Sequence, residues 1–153
     1  GGIFGSPWKQ DFVTVLGKKR SLDDIEHNLI RGSKRYNEPR IHFAVNCASI
    51  GCPALLHDAF TASKLDKQLE QVTSKFLADS NRNRLKGSTL EVSPIFKWYK
   101  EDFESNWRGT KDLEGFLARY SSSLGLNKSQ TADLKAGKTK ISYTNYSWNL
   151  NKK

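Results

Sequence analysis

The chain has 153 residues, 37% of them hydrophobic and 27% charged, with 25 Lys and Arg against 16 Asp and Glu for a formal net charge of +9. That length suits one domain with a core of its own, and no apolar run approaches the ~18 residues of a membrane span. The positive balance favours acidic partners: nucleic acid, anionic lipid, cell-wall polymer or an anionic small molecule.

The basic residues are scattered through KKR at 18–20, SKR at 33–35, RNRLK at 82–86 and the C-terminal tail, with no block of six like charges. No signal peptide is visible. The chain begins GGIFG, without an initiator Met, and contains no Met. It is therefore expected to be a processed product or a piece of a longer chain.

In chain order, DFVTVLG from Asp11 reads as a short strand ending at Gly17. SLDDIEHNLIRG reads as a helix, with Ser21 as cap and Asp24 completing a capping box. Its stripe is Leu22, Ile25, Leu29 and Ile30, and Gly32 stops it. IHFAV, after Pro39, reads as a central strand buried on both faces. On such a strand His42, Ala44 and Asn46 share one face, and Ile41, Phe43, Val45 and Cys47 the other. FTASKLDKQLEQVTSKFLADS is the strongest helix, with Leu65, Leu69, Val72 and Phe76 at helical spacing. STLEVS reads as a strand, and Ser93 with Pro94 opens a helix over PIFKWYKEDF. TKDLEGFLARYSSSLG and LNKSQTADLKAG read as helices stopped by Gly125 and Gly137. TKISYTNYSW is aromatic and alternating, a terminal strand. Strands and helices in irregular order predict an α+β fold, mixed or antiparallel in its sheet, in a single domain over 1–153.

The chemistry centres on RIHFAVNCASIGCPAL, which holds both cysteines of the chain and one of its three histidines. Cys47, at the end of the expected strand, is a candidate nucleophile if a neighbouring imidazolium or helix N-terminus lowers its pKa. It is equally a small buried hydrophobe. Cys52, before Pro53, is a candidate resolving thiol or disulfide partner of Cys47. His42, Cys47 and Cys52 are soft metal ligands, but their spacing is not that of structural zinc, and no metal or cofactor is expected. His27, beside Glu26, is a candidate base oriented by a carboxylate. The aromatics Phe96 to Tyr99 (Trp98 among them), with Trp107, Tyr143, Tyr146 and Trp148, either wall a cleft or fill the core. No Walker loop, G-x-G-x-x-G, G-x-S-x-G or H-E-x-x-H is present, and no nucleic-acid recognition motif, so no specific nucleic acid is expected as partner.

SLDDIEHNLIR, EPRIHFAVNCASIGCPAL, LDKQLEQVTSKFL, EVSPIFKWYKEDF and ISYTNYSWNLN together resemble the domain-of-unknown-function 547 family, from about Trp8 to Asn151. The family's I-E-H matches Ile25, Glu26 and His27, and a following Arg matches Arg31. Its P-R-x-H-F-A matches Pro39, Arg40, His42, Phe43 and Ala44, and its Cys matches Cys47. The second Cys, at Cys52, is Ser in the plant-type pattern. The family's terminal Y-D-W-S-L-N becomes Tyr146-Ser147-Trp148-Asn149-Leu150-Asn151, without the Asp. The resemblance implies a bacterial secreted, periplasmic or lipid-anchored protein, and a family segment upstream of GIFG, so that this chain is the larger, C-terminal part of the family domain.

By analogy, a Cys and His so placed resemble papain-like and transglutaminase-like thiol enzymes. The expected function is a thiol hydrolase or acyl transferase acting on amide bonds of peptides or glutathione-like thiols. Cys47 is then the nucleophile, His42 or His27 the base and Glu26 its orienter; Cys52, Asn46, Arg31, Arg40, Trp98, Tyr146 and Trp148 contact substrate or support the site. The alternative is a non-catalytic binding module with a basic, aromatic-lined surface. Either reading expects a peptide-like or anionic small molecule, an anionic surface or a cell-wall polymer as partner.

Overall fold

The computed structural model of the chain describes residues 37–50 and 64–145, leaving aside the side chains of 48–50. Among these residues the order is α1 (Ile41–Ile50), α2 (Leu65–Ala78), β1 (Arg84–Lys86), β2 (Thr89–Val92), α3 (Ile95–Trp98), α4 (Lys100–Phe103), α5 (Leu113–Arg119), α6 (Lys128–Lys135) and β3 (Lys140–Tyr143). The fold is α+β, with a three-stranded mixed sheet. The chain divides into two compact units, Gly1–Thr73 and Ser74–Lys153. The expected strand at Asp11–Gly17 and helix at Ser21–Gly32 lie outside the described residues.

In the first unit, IHFAV is not a strand but the start of α1. Ile41, Phe43, Ala44, Val45 and Cys47 are all buried. An apolar run buried on every side carries no period that separates helix from strand. The entry to the segment is helical. Asn37 adopts φ +52°, and the carbonyls of Glu38, Pro39 and Arg40 then accept from the N–H groups of Ile41, His42 and Phe43 at 3.2, 3.3 and 3.1 Å. These are tight i→i+3 bonds, and the fixed φ of Pro39 suits a first helical turn.

Helix α2 carries the stripe read from the sequence: Leu65, Leu69, Val72 and Phe76 are all buried. Asp66 stands in its first turn and Lys75 in its last, each favourable to the helix dipole. Thr73 Oγ1 donates to the Leu69 carbonyl at 2.7 Å, which satisfies a hydroxyl with no solvent exposure.

In the second unit, β1 and β2 form an antiparallel hairpin with Leu85 opposite Leu90. Gly87 turns it at φ +63°, a conformation that suits glycine. β3 pairs parallel to β2, with Leu90 opposite Ile141 and Val92 opposite Tyr143. β2 is thus the central strand, and Leu90 and Val92 are fully buried. Asn83 ties the end of α2 to the end of β2: its Nδ2 donates to the Phe76 carbonyl at 2.9 Å, and its Oδ1 accepts from the Ser93 N–H at 3.0 Å.

The crossover from β2 to β3 holds α3 to α6. Ser93 Oγ accepts from the Ile95 N–H at 3.2 Å, as a capping serine should. The single helix expected over PIFKWYKEDF is broken at Tyr99 into α3 and α4. Asp112 caps α5. Asn127 and Gln130 form a reciprocal capping box on α6. α6 ends as a Schellman motif, with Gly137 at φ +73° and the Lys138 N–H donating to the Asp133 carbonyl at 2.9 Å. The core is aromatic. Phe96, Phe103 and Phe116 are fully buried, with centroids 4.8 Å apart for Phe96–Phe103 and for Phe103–Phe116. Trp107 and Tyr120 stand 5.6 and 5.3 Å from Phe116. Such tilted and edge-on pairs add about 0.5–1.5 kcal/mol each beyond area burial. No described helix is long and apolar enough to cross a membrane.

Candidate functional site

In the first unit the side chains around α1 are organised by Arg40, which is completely buried. Its Nε and Nη2 donate to the two oxygens of Glu38 at 2.9 and 2.7 Å. Nη2 also donates to Asp66 Oδ1 at 2.9 Å, and Nη1 to Glu70 Oε1 at 3.0 Å and the Asp66 carbonyl at 3.4 Å. These contacts match the five N–H donors of a guanidinium. Glu38, itself buried, also accepts from the Arg40 backbone N–H at 3.2 Å. Asp66 and Glu70 lie one turn apart on α2, with side chains 51% and 40% exposed. The guanidinium therefore pins the entry of α1 to the first two turns of α2. Arg40, expected to contact substrate or support the site, is buried within this ion-pair cluster.

Cys47 is buried and disulfide-bonded. The chain's one other cysteine, Cys52, lies outside the described residues. Cys47 is the seventh of ten residues of α1, not at a helix N-terminus, and His42 stands on the same helix rather than on a strand. Five residues of helix set His42 and Cys47 about 140° apart around the axis and about 7.5 Å along it. The strand expectation also separated them; the helix does so by rotation. It keeps His42 and Asn46 on one face, one turn apart, and both are buried. Glu26, His27, Arg31, Tyr146 and Trp148 lie outside the described residues. Among the described residues, no group of three or more His, Cys, Asp or Glu is placed to hold a metal ion.

The second unit carries most of the positive charge. It has fifteen Lys and Arg against eight Asp and Glu, while the first has ten against eight. Of the aromatics expected to wall a cleft or fill the core, Phe96 and Trp107 are core, and Tyr99 and Tyr143 are half-buried. Trp98 is 57% exposed. It stands at the end of α3 beside exposed Lys97, with exposed Lys100 two residues on. Lys97 Nζ lies 5.9 Å from the Tyr143 ring centroid. A flat apolar face among ammonium groups can stack on a ligand while the charges hold its anionic groups.

Two other features escaped the sequence reading. One is a shallow concavity of about 160 Å³ between the hairpin and α6, lined by Leu85, Leu90, Leu134, Gln130, Asp133 and Lys138 among others. Its β1 wall was read only as part of a basic stretch. The other is a pair of arginines over Trp107: Arg108 Cζ is 4.7 Å and Arg119 Cζ 5.2 Å from the ring centroid. The Trp-Arg dipeptide was a signal for the first, but nothing local linked Arg119 to that ring. On the hairpin, the hydrogen bond from Arg84, 2.8 Å long, holds the Glu91 carboxyl below its ordinary pKa.

Comparison with curated proteins and with solved structures gives no match. The sequence pattern of one family matches residues 4–77, a span that contains Arg40, Cys47 and nearly all of α2. The resemblance expected from Trp8 to Asn151 is thus matched in its N-terminal blocks, while EVSPIFKWYKEDF and ISYTNYSWNLN lie beyond the matched residues. Residues 4–77 of the chain match the family described as Protein of unknown function, DUF547.

Proposed function

We propose that this chain is a binding module that holds an anionic partner on a basic, aromatic-bearing surface of its C-terminal unit. The observation that carries the reading is Trp98, 57% exposed on a short helix between Lys97 and Lys100. Removing an indole from water is favourable, so its exposure, with exposed lysines one residue before it and two after, suits a ligand with a flat or apolar body and negative groups. The excess of seven positive charges in that unit supports it, as does a Cys47 sulfur already engaged in a disulfide. The partner class is an anionic polymer or surface, or a peptide-like acidic small molecule. The test is binding of fluorescent dextran sulfate to the whole chain across a sodium chloride series. Affinity should fall steeply with salt, and Trp98→Ala should weaken it about tenfold, ~1.4 kcal/mol. Equal binding by Trp98→Ala would remove the indole from the reading.

A second reading is favoured by the buried, polar His42 and Asn46 that share α1 with Cys47. In it the chain is a secreted or periplasmic thiol hydrolase or acyl transferase, active when Cys47 is reduced. The Cys47 thiolate attacks an amide carbonyl of a peptide or glutathione-like thiol, the C–N bond breaks as the amine leaves with a proton from the base, and the thioester passes its acyl group to water or an acceptor amine. His27 is then the base and Glu26 its orienter, because His42 points away from Cys47 around the helix. Amide turnover that requires a reductant and is lost in Cys47→Ala would support it; turnover unchanged in Cys47→Ala would sink it.

A further inference from the structure

The concavity between the β1–β2 hairpin and α6 takes no part in the Trp98 surface. Fully buried Leu90 and Leu134 and half-buried Leu85 and Leu126 give it an apolar lining. Gly87, at the turn of the hairpin, borders it where an added Cβ would meet nothing within 4 Å, so the mouth is open. Its volume is about 160 Å³. An apolar cavity of about 150 Å³ holds a benzene-sized group, so the space suits one branched aliphatic side chain.

Two opposite charges border the same concavity. Asp133 and Lys138 both line it, and both are exposed. The Lys138 N–H donates to the Asp133 carbonyl at 2.9 Å, which holds the two residues side by side where α6 ends. Yet neither charged group has an ion-pair or hydrogen-bond partner among the described residues. Asp133 also stands in the last turn of α6, where the helix dipole disfavours a carboxylate. An ammonium group brought to it would offset that. Gln130 lines the concavity as well. Its side-chain oxygen accepts from the Asn127 N–H at 2.9 Å, so what that side chain has left for a ligand is N–H donors, which suit a carboxylate.

We propose that this concavity binds a free amino acid with an aliphatic side chain, the side chain against the leucines, the ammonium at Asp133 and the carboxylate at Lys138. An apolar body with one charge of each sign matches the lining, whereas an anion alone is opposed by Asp133 and a cation alone by Lys138. The site goes beyond the Trp98 surface and does not depend on it. The experiment is a titration of the ¹⁵N-labelled whole chain with leucine at low salt, read by nuclear magnetic resonance. Saturable shifts of the Ser88, Leu134 and Thr139 amides, which line the concavity, are expected. Glycine, leucinamide and 4-methylpentanoate lack the side chain, the carboxylate and the ammonium in turn, and each should bind at least tenfold more weakly. Asp133→Asn and Lys138→Gln change exposed side chains without partners, so the fold should stand, and each should weaken leucine tenfold or more. Lys138→Gln should leave leucinamide, which has no carboxylate to lose, unaffected. Trp98→Ala should bind leucine as the unaltered chain does. No saturable shift with leucine, shifts away from the concavity, an analogue that binds as well as leucine, or equal binding by the Asp133 and Lys138 variants would overturn the proposal.

Discussion

Arg40 and Glu38 form a fork-on-fork pair with no exposure of the guanidinium side chain and 2% of the carboxylate's, 2.7 Å apart at their closest. Two residues apart in sequence, they fold back on each other as the chain enters α1, and the same guanidinium reaches α2. Breaking this pair leaves a buried carboxylate without its cation. Arg40→Ala is expected to destabilise the chain by about 3–5 kcal/mol, read as a lower urea midpoint. Asp66→Asn, at a side chain that is itself half-exposed, should cost under about 1 kcal/mol. Equal costs would mean the pair does not anchor α1.

Cys47 is expected to resist alkylation. In the native, unreduced protein iodoacetamide should not modify it, because its sulfur is bonded and buried. Reduction should lower stability by about 2 kcal/mol, the chain-entropy value for the small loop closed if Cys52 is the partner. Thermal melts with and without dithiothreitol give this directly; an unchanged melting temperature would assign the bond no structural weight.

Trp98 should separate binding from stability. Trp98→Ala removes a side chain that is 57% exposed, so unfolding free energy should change by less than about 0.5 kcal/mol, while affinity for the anionic polymer drops. A large loss of stability would instead make Trp98 part of the core.

Glu91 gives an acid-side prediction. Its carboxyl pKa is lowered in the fold, chiefly by the hydrogen bond from Arg84. A depressed folded pKa contributes stability present above the unfolded carboxylate value and lost as pH falls through the folded one. The carboxylate is solvent-exposed, so the effect is small and screened by salt. Glu91→Gln should lower stability slightly at pH 7, where the carboxylate contributes, leave it unchanged in acid below the folded pKa, and so flatten the profile below pH 5. A parallel profile for the variant would contradict the assignment.

What could be read from the sequence follows the strength of local signals. The stripe of α2, the stop at Gly137, and the strands around Leu90 and Ile141 each carry a period or a punctuation residue, and they stand where expected, whereas α5 ends at Arg119, short of the Gly125 expected to stop it. α1 does not, because a run apolar on every side is compatible with strand and helix, and Pro39 was read as the end of a link rather than a first turn. β1 was hidden because three residues, two of them charged, form a strand only through pairing with β2. The Arg40 cluster joins residues up to 30 apart, and Arg119 meets Trp107 only through packing. Neither leaves a local pattern. His42, Cys47, Arg40 and Trp98 were all picked out as residues of interest, but their roles depend on burial and bonding that spacing does not encode.

The most direct measurement is the affinity of dextran sulfate for the whole chain against salt concentration, for the unaltered protein, Trp98→Ala and Cys47→Ala. Linear log–log weakening with salt is expected, with a displaced line for Trp98→Ala and an unchanged line for Cys47→Ala. Absence of binding at low salt, or a Trp98→Ala line that overlies the unaltered protein's, would contradict it.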